Sequence, residues 1–231
     1  MKPETEALAN RLSGEPLLEK FLLVGGTALS IYLNHRLSED LDFATSERVL
    51  PTQAISDLLE RFKRTGSVIE DNLTLAARHN ATNEGYDIEN YHQDWLVDGV
   101  KLTFFVLEKE NGREKLALDC GKKWKNKLRL ASLDTLFVTK ALVLTNRHTI
   151  RDNFDVHALM TQENYSYNDL IKAYNTYHPH ASLETPEARL LSKDYPLTDP
   201  GLDSLIEESE EDNINNIHVF FSKIISNYKL D

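Results

Sequence analysis

Asp40 and Asp42 stand one residue apart, some fourteen positions after a Gly25-Gly26-Thr27 step. On a strand, residues i and i+2 face the same side, so both carboxylates point together. Side by side they repel and raise each other's pKa unless a cation lies between them. Magnesium suits such a place, because it takes oxygen ligands and retains substrate phosphates and water. The same pair also occurs as a solvated Asp-x-Asp on an edge strand. The glycines have their own chemistry. They let a phosphate approach the backbone, and a helix that follows points unpaired N–H groups at an anion. Thr27 adds a hydroxyl. Alone, Gly-Gly between a strand and a helix is also an ordinary tight turn. No Gly-Lys-Ser/Thr follows it, and it is not GxGxxG. Together the two features suggest more, since one short helix would carry the chain from an anion-binding turn to a carboxylate pair that meets the same triphosphate.

The second half of the chain offers fewer reactive side chains. Lys140 lies inside the apolar run LFVTKALVL. It either snorkels to solvent or is held toward a polar cleft. On an unbroken helix Lys140, Arg147, Arg151 and Asp155 would form one stripe, but the Asn146–Thr149 segment is expected to interrupt it. Asp155 would then hold Lys140 or Arg151, or form an ordinary surface pair. GKKWKNKLR, residues 121–129, is the basic cluster of the sequence. Its lysines flank Trp124, which suits phosphate contacts with base stacking and equally suits a solvated loop. The two histidines of HPH (178–180) lack further ligands at zinc spacing and are assigned to a loop.

The elements that must position these residues change style along the chain. Residues 3–12 and 51–64 have helical periodicity, the latter with Ile55, Leu58, Leu59 and Phe62 on one face. FLLV (21–24) and DLDFAT (40–45) read as strands on either side of a short helix. β-like stretches follow near 67–79, 86–97 and 99–108, with another at 113–119 after an Asn111-Gly112 hairpin turn. From about Lys122 the pattern is mainly helical, and the acidic run 203–213 reads as solvated helix or loop. This gives an α+β expectation, with a domain at 1–121 and a mainly helical one at 122–231.

With 231 residues, 41 % apolar and 27 % charged, the composition is that of a globular protein. A net charge of −11 argues against a coat of positive charge for non-specific nucleic-acid binding. The N-terminus lacks a signal-peptide pattern, and no apolar run reaches the length of a membrane span. A single cysteine, Cys120, fits a reducing compartment. The expectation is a cytoplasmic protein without a membrane partner.

GGTALSIYLNHRLSEDLDF resembles the opening motif of the DNA-polymerase-β-like nucleotidyltransferases, and most closely that of the AbiEii/AbiGii toxin branch. Gly25, Gly26, Thr27 and Leu29 match its Gly-Gly-Thr-x-Leu, and Arg36, Ser38, Asp40 and Asp42 match its Arg-x-Ser-x-Asp-x-Asp. Lys101 in GVKLTFFVL, Lys140, and Arg151, Asp152 and Asp155 in RDNFDVHAL match later motifs, so the resemblance spans 21 to about 160. It implies a polymerase-β-like mixed sheet with flanking helices and a helical C-terminal portion completing the nucleotide cleft.

The resemblance further implies a magnesium-dependent nucleotidyltransferase that moves a nucleotide from a nucleoside triphosphate to an acceptor, RNA such as tRNA or a protein. The chain would be the toxin of a type IV-like toxin–antitoxin or phage-defence system, with an antitoxin partner. Asp40 and Asp42 would be catalytic and hold the metal, and Lys140 and Asp155 would be catalytic. Gly25, Gly26, Thr27, Arg36, Ser38, Lys101 and Lys140 would bind the nucleotide, and the 121–129 cluster would meet RNA. One departure is plain: Thr103 stands where the superfamily usually carries a third carboxylate, and Asp98 is the nearest acid. Two alternatives remain, a small-molecule nucleotidyltransferase of the antibiotic-modifying kind and a nucleotide-binding module that has lost catalysis.

Overall fold

The computed structural model describes residues 1–107, 118–178, 180–196, 202, 205 and 209–230. The expected turn at Asn111-Gly112, most of the 113–119 stretch, Pro179 of the HPH triplet and much of 203–208 lie outside the described residues. The chain divides into two compact units, one of residues 1–28 and 38–132, the other of 29–37 and 133–231.

Among the described residues, the first unit carries a seven-stranded mixed sheet with flanking helices. Its strands are β1 (Leu22–Val24), β2 (Leu41–Thr45), β3 (Ile69–Asp71), β4 (His92–Val97), β5 (Val100–Val106), β6 (Cys120–Lys125) and β7 (Leu128–Ala131). Their order is β3-β4-β5-β2-β1-β7-β6. β2 runs parallel to β5 and antiparallel to β1, while β4 and β5 form an antiparallel hairpin. Asp98 and Gly99 make that hairpin's two-residue turn, both with positive φ (52° and 81°), as its right-handed twist requires. Asp98 therefore belongs to a turn, where Arg11 donates to it at 2.9 Å.

Register divides the sheet's side chains between its faces. Leu41 pairs with Leu102 and Phe43 with Phe104, and all four are buried. The Phe43 and Phe104 rings stack at 5.8 Å, with Phe21 edge-on to Phe104 at 5.2 Å. Asp42 and Thr103, the pair between them, turn to the opposite face. Helices α1 (Pro3–Leu12) and α3 (Thr52–Arg64) form as their periodicity predicts, and Ile55, Leu58, Leu59 and Phe62 are buried.

Two expectations are corrected. The 67–79 stretch is strand only at 69–71. Thr74 caps a helix, α4 (Leu75–Asn83), by accepting from the Ala77 N–H, and this side-chain cap overrides the β-like composition. The basic cluster is no loop but the β6–β7 hairpin, turned at Asn126 with φ 42°.

The second unit is helical. Besides 29–37 it contains α5 (Leu133–Val143), α6 (Ile150–Gln162), α7 (Tyr167–Tyr177), α8 (Glu184–Leu191) and α9 (Glu210–Tyr228). α5 packs on α6 and α7, and α9 on α6, α7 and α8, around Leu136, Phe154, Leu159, Leu170, Leu190 and Phe221. α5 and α6 are separate, so the interruption expected at 146–149 is present. Thr149 caps α6, its hydroxyl accepting from the Asp152 N–H. Among the described residues, no helix is long and apolar enough to cross a membrane.

Candidate active site

In the first unit the glycine turn and the aspartate strand meet directly. β1 ends at Val24, whose partner on β2 is Asp42. The next residue, Gly25, has φ +69°, and a Cβ placed on it would lie 2.8 Å from Asp42 Oδ2. Two constraints therefore disfavour a side chain here: a left-handed backbone and a carboxylate that a Cβ would have to displace. Helix α2 (Gly25–Leu33) starts at this point, so its first N–H groups and the Asp42 carboxylate share one turn. Asp40 and Asp42 are both half-buried.

Thr27 serves the same turn from beneath. It is almost fully buried, its Oγ1 is 2.7 Å from Ser38 Oγ, and it donates to the Asp40 carbonyl. Thr27 and Ser38 thus tie the start of the helix to the segment that leads into β2. Ser38 also accepts through its carbonyl from the Lys2 N–H at 3.1 Å. Lys101 lies on β5 with its Nζ 3.5 Å from Asp94 Oδ2.

The other site residues expected from the sequence gather in the second unit. Asp155, fully buried on α6, accepts from Arg36 Nε at 2.7 Å and Arg36 Nη2 at 2.9 Å, a two-pronged pair. His35 Nε2 lies 2.7 Å from the same carboxylate. Lys140 Nζ is 2.7 Å from Asp155 Oδ2 and donates to Asp152 Oδ1 at 2.7 Å. Asp152, also fully buried, further accepts from Arg147 Nε and Thr149 Oγ1, each at 2.7 Å. Lys140 is only 5 % exposed, so it does not snorkel.

Burial alone would push Asp155 and Asp152 up. Lys140 outweighs it at both, with Arg36 at Asp155 and Arg147 at Asp152, and each carboxyl is held well below its ordinary range. Burial would likewise lower Lys140, but Asp155 and Asp152 overcome it and raise its pKa.

The structure therefore brings Gly25, Gly26, Thr27, Ser38, Asp40 and Asp42 together in one unit, and Arg36, Lys140 and Asp155 together in the other. Arg36 is engaged with Asp155. Sequence reasoning missed His35 as a member of the second group, while it places Arg147 with Lys140 and Asp155 only on an unbroken helix. The signal for Asp152 was present as the Thr149-x-x-Asp152 capping pattern.

In the basic hairpin, Lys125 Nζ is 3.0 Å from Glu6 and donates to Asn10 at 2.8 Å, while lying 5.1 Å from the Trp124 ring centre. Lys127 pairs with Glu19 at 2.8 Å, and Arg129 donates to the Glu19 carbonyl. Lys122 and Lys123 are exposed on the edge strand.

Residues 6–218 match the family described as nucleotidyl transferase AbiEii toxin, type IV toxin–antitoxin system. The chain belongs to this family. Its reaction class is accordingly nucleotidyl transfer. An uncharacterised protein of Aquifex aeolicus strain VF5 is 24 % identical over 178 residues, covering 74 % of this chain and 73 % of the relative. A putative nucleotidyltransferase from H. pylori superposes with a TM-score of 0.49 at 17 % identity, covering 100 % of this chain and 99 % of that one. MenT4, a nucleotidyltransferase toxin of Mycobacterium tuberculosis H37Rv, gives 0.49 at 12 %, with 96 % and 86 % covered.

Metal ligation can be tested against the residues present. Among the described residues no group of three or more His, Cys, Asp or Glu side chains is arranged to hold a metal. Two half-buried carboxylates beside a backbone lacking a Cβ are a different kind of donor set. They suit an ion that takes its remaining ligands from phosphate and water, and magnesium binds in this way.

Proposed function

We propose that this AbiEii-family chain is the toxin of a toxin–antitoxin pair and transfers a nucleotide from a magnesium-bound nucleoside triphosphate to an RNA acceptor. The observation that carries this reading is the approach of Gly25 to Asp42, which joins an anion-binding helix start to a carboxylate on one face of the sheet.

Asp40 and Asp42 would hold the metal, which when bound neutralises phosphate charge. The Gly25-Gly26 backbone and the first turn of α2 would receive the phosphates. Thr27 and Ser38 support this by fixing the Asp40 segment with their hydroxyls. Catalysis of this kind is mainly positioning and charge neutralisation. Lys140 and Asp155 remain proposed catalytic groups on the family resemblance. They need separate tests, because removing either leaves buried charge behind. For the acceptor, the exposed Lys122 and Lys123 beside Trp124 support RNA contact through the β6–β7 hairpin.

The experiment is incubation of the full chain with each α-labelled nucleoside triphosphate, magnesium and total RNA, followed by separation of labelled RNA. Label in RNA that vanishes with EDTA and falls about a hundredfold in Asp42→Asn supports the reading. Label in protein alone, or equal labelling by a folded Asp42→Asn variant, overturns it.

A further inference from the structure

Thr103 is 3 % exposed, and its Oγ1 meets no group in good hydrogen-bond geometry, Asp94 being the acceptor on which its hydroxyl acts. A buried hydroxyl left this way calls for an explanation. Its position supplies one. Asp42 on β2, Thr103 on β5 and Asp94 on β4 are consecutive register partners, so their side chains lie in a row on one face of the sheet. The row thus has a carboxylate at each end and the hydroxyl in the middle.

Asp94 is set up as an acceptor. Its side chain is 15 % exposed, with Oδ1 3.1 Å from His92 Nε2 and Oδ2 3.5 Å from Lys101 Nζ. Burial would raise its pKa, but His92, Thr103 and Lys101 together bring it below the ordinary value, so the group is ionised at neutral pH and can only accept. Its neighbour Thr103 has one proton to donate and two lone pairs to offer.

We infer that Thr103 and Asp94 form a proton-accepting pair for the acceptor hydroxyl, Thr103 Oγ1 meeting that hydroxyl on the Asp42 side and Asp94 receiving the Thr103 proton. This rests on the transfer reaction proposed above. As the acceptor oxygen bonds to the α-phosphorus, the bond from that phosphorus to the bridging oxygen breaks and pyrophosphate leaves. The acceptor's proton passes to Thr103 Oγ1, and the proton that Thr103 carried passes to Asp94. The His92 side chain, 38 % exposed, leads from that carboxylate to the surface. Thr103 is then a catalytic residue and Asp94 a positioning residue that acts through it.

The test uses the full chain, with labelled triphosphates, magnesium and total RNA as the probe. Asp94→Asn and the isosteric Thr103→Val should each lower transfer about a hundredfold, the scale of general-base catalysis, while the thermal shift given by magnesium and triphosphate stays as in the wild type. The double variant should lose no more than the worse single one, since the two act as a unit. Independently of transfer, carboxyl-carbon NMR should show Thr103→Val raising the titration midpoint of Asp94. Wild-type transfer by Asp94→Asn, losses that multiply in the double variant, or an Asp94 midpoint unmoved by Thr103→Val would overturn the pair. A wild type that labels no RNA counts against the proposed reaction instead, and the NMR result still judges the pair.

Discussion

The aspartates of β2 and those of α6 are alike in type and in arrangement. Asp40 and Asp42 are two apart on and beside a strand, Asp152 and Asp155 three apart on a helix, and either spacing places both side chains on one face. Their surroundings differ. The α6 pair is fully buried and met by Lys140, Arg36, Arg147 and His35 from its own unit. The β2 pair is half-buried at the rim of a turn whose glycine leaves room for a carboxylate oxygen. The chain itself supplies cations at α6, from Lys140, Arg36 and Arg147. At β2 the backbone is shaped around the carboxylate, Gly25 lacking the Cβ that would meet it.

Lys140→Ala should give the largest effect if this contrast is right. It strips two buried carboxylates of a shared cation, and breaking such a pair costs about 3–5 kcal/mol. Urea unfolding should show this loss, while Asp42→Asn leaves the unfolding free energy within about 0.5 kcal/mol of wild type. Equal stability losses would erase the distinction. Activity should rank differently. Asp42→Asn should reduce RNA labelling about a hundredfold, or about 2.7 kcal/mol of transition-state stabilisation, without unfolding the chain.

Gly25→Ala should come next. A left-handed residue with a Cβ costs about 1–2 kcal/mol, and the Asp42 carboxylate must also move. Both stability and transfer should therefore fall, and a variant with wild-type transfer would show that Asp42 need not sit against Gly25.

The pH response sharpens the same comparison. Asp152 and Asp155 have folded-state pKa values below their ordinary 3.8, so their stabilisation is complete above that value and fades as pH falls through the lower folded values. Lys140 is raised above 10.5, so its share is complete below that value and is lost as pH climbs past it. Asp155→Asn should flatten the acid limb of a stability–pH curve measured by urea unfolding. The smallest expected change belongs to the basic hairpin. Replacing Lys122 and Lys123 with Gln should weaken RNA binding and reduce the salt slope of log K by about 2, with triphosphate binding unchanged.

Much of the first unit was legible in the sequence. Strand, glycine step, helix and Asp-x-Asp strand announce themselves through local rules, namely burial runs, backbone freedom and period-two alternation. The helix faces of α3 were legible for the same reason. What escaped depended on partners distant in sequence. Nothing local shows that Lys140 is buried, because Asp152 and Asp155 lie beyond the interruption between α5 and α6 and Arg36 is more than a hundred residues away. Thr103 attracted notice only as a missing carboxylate. Its place beside Asp94 follows from strand register, which depends on the Asp98-Gly99 turn. The hairpin in the basic cluster was hidden because its alternation with Trp124 was masked by five charges, among which Lys125, Lys127 and Arg129 have partners within the unit.

The division of the chain has a consequence for anyone wishing to treat it as modular. Residues 29–37 belong to the helical unit although they interrupt the sheet unit in sequence. No single cut of the polypeptide can release either unit whole. A fragment beginning at Leu133 would carry Asp155 and Lys140 but leave behind Arg36 and His35, and with them the two-pronged Arg36 pair and the His35 contact at the Asp155 carboxylate. A gene split at the visible change of style would give two products, neither of which is a domain.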